Sequence, residues 1–301
     1  MNTINEQVDA KTQKLANDLN QPVILLNLKT VDKGCCLELR KQLSDKSPEK
    51  LTVVLQTGGG DIDSAFLISK LLRNHADLLQ IIVPLYAKSA GTLICLAANR
   101  ILLTEISELG PLDTQIFEQK DGGTSGYTSA LNGFKALEQV QQHTIETLDI
   151  AAKLILARSQ MKISEAISLA SEFTGQTSGT LYGSLDPQKI GEYARALEIG
   201  ERYGIMILTR YCGWSPEDAQ NVVRHLVKQY PHHGFVIDHD ELQMLGLKAE
   251  YIQKEHSDDV SKIGDLLLQL ESNKIQLYEP SITTDTEVGE QTGSGSGESG
   301  E

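Results

Sequence analysis

Apolar residues come in short blocks early in the chain and at helical spacing later. Residues 22–28 (PVILLNL), 51–56 (LTVVLQ) and 79–86 (LQIIVPLY) are compact apolar runs of strand length, and 100–103 is a shorter fourth. A helix-like stretch follows the first run through residue 42. Residues 62–73 carry apolar side chains at 62, 65, 66, 68, 71 and 72, the spacing of one helix face. Residues 89–98 are small and apolar, which predicts a buried helix. Strand, glycine turn, helix and strand in succession predict a parallel α/β layer.

The pattern changes after residue 119. Residues 120–129 (KDGGTSGYTS) are rich in Gly, Ser and Thr and predict a mobile loop, with 121–129 placed to cover a cleft. Helical spacing resumes at 130–159 and again at 163–173. Asp186-Pro187 starts a helix that runs to about Tyr211, and Ser215-Pro216-Glu217-Asp218 starts another with a capping-box-like partner. The apolar piece 234–237 leads into a helix start at Asp238, which Gly246 ends. The last amphipathic helix spans 260–272. These shifts divide the chain into a polar N-terminal segment (1–20), an α/β domain (21–250), a C-terminal helix (251–278) and an acidic tail expected to be disordered (279–301).

Charge narrows the function classes. The 301 residues hold 27 Lys and Arg against 41 Asp and Glu, a net charge of −14, with no basic run to offset it. Binding of nucleic acid by phosphate neutralisation is therefore not expected. The first twenty residues have no apolar core of a secretory signal, and no segment approaches the roughly 18 apolar residues of a membrane span. The cysteines (Cys35, Cys36, Cys95, Cys212) form no CxxC pair. They read as reduced thiols of a cytoplasmic protein that inserts in no membrane.

Two segments carry candidate chemistry. Thr57-Gly58-Gly59-Gly60-Asp61 ends one strand and opens a helix, and its backbone N–H groups suit a phosphate or an oxyanion. A Walker loop and a dinucleotide fingerprint are both excluded by the spacing. Lys88-Ser89-Ala90-Gly91-Thr92 follows the next strand. Ser89 there is either a helix N-cap or a nucleophile whose neighbour, Ala90, offers its N–H to an oxyanion. Adjacent parallel strand ends would bring the two segments together. His232, His233 and His239 do not have the spacing of a closed zinc site, and no metal or cofactor is expected.

The segments GGGDIDSAFLISKLLR and YAKSAGTLICLAANRILLTEISELGPLD resemble the serine dehydrogenase proteinase family, relatives of Clp protease and signal peptide peptidase A. The later stretches IGEYARALEIGERYG and YPHHGFVIDHDELQMLGL look like it too, so the resemblance covers roughly residues 22–247. It implies an α/β fold of the ClpP/crotonase type, with stacked βα units and a helical second half. It also implies a serine peptidase acting on a peptide or unfolded protein, and a homo-oligomer. Ser89 matches the catalytic serine, and Gly59 and Ala90 the oxyanion-hole amides. Gly58 and Gly60 are then expected beside the substrate. Lys88 adjoins Ser89, but consecutive side chains point apart, so it is expected either to pair with a carboxylate or to contact substrate.

The base has two candidates. Where a Clp protease has its histidine this chain has Leu112-Asp113, and where the Clp aspartate stands it has His232-His233. His233 as base with Asp113 as its orienting carboxylate is one arrangement, since a triad depends on geometry and not on chain order. A Ser–Lys dyad with Lys135 is the other, as in signal peptide peptidase A, and it requires a buried lysine. A crotonase-type acyl-CoA enzyme and a peptide-binding scaffold are the alternative functions.

Overall fold

The computed structural model describes residues 3–112, 115–119 and 125–281. Its elements, in chain order, are α1 (Ile4–Leu19), β1 (Val23–Leu28), α2 (Lys33–Gln42), β2 (Lys50–Thr57), α3 (Ile62–His75), β3 (Leu78–Val83), β4 (Tyr86–Ala87), α4 (Ala90–Cys95), β5 (Arg100–Leu103) and β6 (Glu108–Leu109). They continue with β7 (Gln115–Gln119), β8 (Ser125–Ser129), α5 (Ala130–Arg158), α6 (Ile163–Gly183), α7 (Pro187–Tyr211), α8 (Pro216–Lys228), α9 (His239–Met244), β9 (Ala249–Tyr251), α10 (Lys254–Leu268) and β10 (Lys274–Tyr278).

The main sheet runs β10-β1-β2-β3-β5-β9. Every pairing in it is parallel except β10 on β1. The parallel strands are buried on both faces, which is why they read as continuous apolar runs. Side chains nonetheless alternate. Ile24, Leu26, Leu28, Val53, Leu55, Ile81, Val83, Ile101 and Leu103 join one core, together with residues of α2, α3, α4, α7 and α8. Val23, Leu25, Val54, Ile82 and Leu102 join a second core under α1 and α10. The fold is thus α/β with a helical second half, as the strand–helix pattern implied.

Beyond the ends of β2 and β3 the chain steps into short extra strands. Thr57 of β2 pairs with Ala87 of β4, and β4 pairs with β6. This step sets the glycine turn after β2 beside the segment after β4.

Several expectations change. The expected loop 120–129 is in part a strand: Ser125–Ser129 pairs antiparallel with Gln115–Gln119. Tyr127 and Thr128 favour strand. Residues 120–124 lie outside the described residues, as does the tail beyond 281. The helix expected at 163–173 continues to Gly183, because Ala166, Ala170, Thr174 and Ser178 form a buried stripe that holds it. The last helix starts six residues early, at Lys254, and β9 and β10 were not legible as strands.

Candidate active site

Glycine at position 60 is dictated by sterics. Val31 N–H donates to Gly59 O and Asp61 N–H donates to Val31 O, each at 2.8 Å. A side chain on Gly60 would put its Cβ 2.4 Å from Val31 O, and φ there is +147°. Among the described residues no peptide bond is cis. In a trans peptide the N–H opposes the C=O, so with Gly59 O facing Val31 the Gly60 N–H faces the other way. It has no acceptor among the described residues. The Gly59 N–H is placed differently from expectation: it donates to Thr57 Oγ1 at 3.1 Å. Gly59 is thus the glycine of the turn whose donor is taken, and the Gly60 N–H, beside Ser89's cleft, is left unengaged among the described residues. Asp61 closes the turn by capping α3 through Ser64 N–H at 2.9 Å.

Ser89 stands at the N-cap position of α4 but makes no capping bond through its side chain. Its backbone is at φ 50°, ψ −111°, a region that costs a non-glycine residue about 1–3 kcal/mol. The surrounding structure holds it there. All six residues of α4 are buried. The Thr92 hydroxyl lies 2.9 Å from Ala87 O and 2.7 Å from Gly110 O. Gly91 N–H donates to Lys88 O at 2.8 Å, which tightens the turn. The Ala90 N–H is the first of the helix and stands outside its ladder. A Cβ on Gly59 would lie 3.1 Å from Ser89 Cβ and 3.5 Å from Ala90 N, so glycine turn and serine are in direct contact.

A cleft of about 530 Å³ opens here, lined by Lys29, Asp32, Gly58, Gly59, Gly60, Asp61, Ser89 and His233 among others. Ser89 is itself 92% buried, being 8% exposed. A somewhat larger cavity, about 590 Å³, is lined by Cys95, Cys212, Trp214, Met244 and Lys248 among others, with no histidine. Burial raises both of its thiols. The serine cleft is the one that combines a hydroxyl, an imidazole and a glycine turn.

The other candidate residues are distributed as follows. His233 lies in the turn between Tyr230 and Phe235, whose rings stack at 4.8 Å. His232 is exposed and meets Phe235 edge-on. His239 is remote from that pairing: it stacks on Tyr251 and its Nδ1 lies 2.8 Å from Asp240 Oδ1. Lys135 does not line the cleft; its Nζ donates to Tyr230 O at 3.0 Å. Lys88 does not line the cleft either; of the two roles expected for it, it takes the pairing with a carboxylate. Its Nζ is 2.9 Å from Glu108 Oε1 and donates to Leu109 O at 3.1 Å and Phe235 O at 3.3 Å. Consecutive side chains diverge, so the residue before the serine reaches the opposite side of the strand. Asp113 lies outside the described residues. Thr57, which sequence reasoning did not single out as a side chain, holds the Gly59 amide; a β-branched hydroxyl before three glycines was the available signal.

Residues 36–167 match the family of ClpP-like SDH-type serine proteinases. Two uncharacterized proteins of Methanocaldococcus jannaschii are similar. MJ0137 is 36% identical over 110 residues, 35% of this chain and 35% of that one. MJ1495 is 31% identical over 112 residues, 36% of each. The matches thus span about a third of the curated relatives' length. A mutant of the 1510-N membrane-bound stomatin-specific protease aligns at 16% identity with a TM-score of 0.27, over 46% of this chain and 63% of its own. At that score the fold rests on the topology described above.

Proposed function

We propose that this chain, whose residues 36–167 match the ClpP-like SDH-type serine proteinases, is a serine peptidase that cleaves peptides or unfolded protein through an acyl-enzyme on Ser89. The observation that carries this is the backbone of Ser89: a left-handed serine at a helix start, making no cap bond, in one cleft with His233.

His233 takes the proton from Ser89 Oγ as the oxygen attacks the peptide carbonyl. An imidazole has an ordinary pKa near 6.5, so it serves as base at neutral pH without burial. The tetrahedral oxyanion is held by the Ala90 and Gly60 N–H groups, each such donor being worth about 3 kcal/mol. Gly59 leaves room for the hydroxyl, and Gly58 lines the same turn. His233 then returns the proton to the leaving amine, and water, deprotonated by His233, releases the acyl group.

Asp113 orients His233. Leu109 and Ile237 form an antiparallel bridge. Asp113 itself lies outside the described residues; the bridge brings Leu109, four residues before it in sequence, against Ile237, four residues after His233. Lys135 is the weaker candidate, since it does not line the cleft and its Nζ is engaged by Tyr230 O at 3.0 Å.

A homo-oligomer accompanies this reading. Ile145, Ile150 and Leu154 of α5 and Ile163, Ile167 and Phe173 of α6 are exposed, and such apolar surface is commonly covered by a partner. Among the described residues no helix is long and apolar enough to cross a membrane. The test is hydrolysis of unfolded casein and of a mixed fluorogenic peptide set. Wild type is expected to cleave and Ser89→Ala to be inactive; equal rates for the two would overturn the assignment.

A further inference from the structure

The turn that carries His233 is gripped at both ends by lysine ammonium groups from distant parts of the chain. At its start, Lys135 of α5 donates to Tyr230 O at 3.0 Å. At its end, Lys88 donates to Phe235 O at 3.3 Å. Lys88 is the residue before Ser89, so its bond joins the nucleophile's own segment to the turn. The same ammonium is ion-paired with Glu108 at 2.9 Å and donates to Leu109 O at 3.1 Å. Its three protons are thereby committed to Phe235, Glu108 and Leu109. The lysine stem lies flat on Gly110, where a Cβ would meet Lys88 Cδ at 2.6 Å.

The turn has little else of regular structure to hold it. Residues 231–236 belong to no helix or strand. Phe235 N–H donates to His232 O within the turn itself. Stacking of Tyr230 on Phe235 draws the two ends together, the Tyr230 hydroxyl donates to Glu241 at 2.8 Å, and just past the turn Leu109 and Ile237 exchange two backbone hydrogen bonds. The lysine bonds add ties to α5 and to the segment that carries Ser89. Charge-assisted bonds to carbonyls are stronger than neutral ones, and two of them at the ends of a six-residue segment define its position.

We propose that Lys88 and Lys135 are positioning residues, a two-point brace that sets the distance from His233 to Ser89 Oγ. This rests on His233 being the base. It gives Lys135 a role distinct from proton transfer, and it gives the ion pair with Glu108 the role of orienting Lys88.

The test separates the brace from that reading. The rate of Ser89 phosphonylation by a fluorophosphonate, and kcat and KM for peptide cleavage, are measured for full-length wild type, His233→Ala, Lys135→Met, Lys135→Arg and Lys88→Met. Thermal melts verify that each is folded. A misplacement of about 1 Å costs about a hundredfold in rate, so the brace predicts a drop of about ten- to a hundredfold in kcat for Lys135→Met and Lys88→Met with KM nearly unchanged. Lys135→Arg still donates to Tyr230 O but cannot act as a base, and it is expected to retain most of the wild-type rate. Should Lys88→Met and Lys135→Met both react at the wild-type rate while His233→Ala is inert, the brace is wrong and the base assignment stands. Should Lys135→Arg be as inert as Lys135→Met while His233→Ala remains active, Lys135 is the base and both proposals fall.

Discussion

Gly59 lies directly against Ser89: a single added carbon on the glycine would stand 3.1 Å from Ser89 Cβ. The contact joins two sequence segments separated by a helix and a strand. It exists because Thr57 at the end of β2 pairs with Ala87, two residues before the serine. Gly59→Ala also has to adopt φ +110°. The substitution is expected to abolish phosphonylation of Ser89 while the melting temperature falls by only a few degrees. Normal labelling in Gly59→Ala would show that the glycine does not bound the nucleophile's space.

Gly60→Ala carries a different penalty. Its Cβ would press into Val31 backbone at 2.4 and 2.5 Å, so the bridge between the glycine turn and the loop after β1 must break. A loss of about 2–4 kcal/mol is expected from backbone strain plus the broken pairing, read by urea denaturation. A loss under about 0.5 kcal/mol, the range of neutral surface changes, would refute the geometry.

The strand pattern was legible because β1, β2, β3 and β5 are buried on both faces and read as unbroken apolar runs. β10 was not, because KIQLY is half-buried at the sheet's edge and mixes polar with apolar residues. Ser89 and the glycine turn stood out as residue types at strand ends. The positive φ of Ser89 and the bond from Gly59 N–H to Thr57 were beyond sequence reasoning, since both depend on how β4 meets β2. The carboxylate pairing of Lys88 was legible, because consecutive side chains diverge, but its partner Glu108 and its bond to Phe235 O were not, since both depend on how β4 meets β6 and the turn at 231–236.

Acid should loosen the contact between α1 and α10. Asp259 is held below the usual carboxylate range, first by its bond from Lys14 and then by that from Lys11, at 2.5 and 3.2 Å. A carboxyl with a folded pKa below its unfolded value stabilises the fold above the unfolded pKa, near 3.9, and loses that contribution as pH falls through the folded one. Wild type should therefore exceed Asp259→Asn in urea midpoint at pH 7, and the difference should shrink as pH falls through and below about 4. A difference that is the same at pH 7 and pH 3 would contradict the pairing.

The thiols should be inert in the folded state. Burial pushes Cys35 up to about 11 and also raises Cys36, Cys95 and Cys212. Since the thiolate is the reactive form, native protein at pH 8 is expected to resist iodoacetamide at all four, and unfolded protein to take up four labels. Rapid alkylation of native Cys35 or Cys36 would show that α2 is not packed on β1 and α3 as described.

The central claim is that Ser89 is an activated nucleophile. Intact-mass measurement after incubation with a fluorophosphonate tests it most directly. The account predicts one adduct per chain on wild type, mapped to Ser89, none on Ser89→Ala, and a much slower reaction in His233→Ala. Absence of any adduct on the folded wild-type protein, or an adduct that persists in Ser89→Ala, would contradict it.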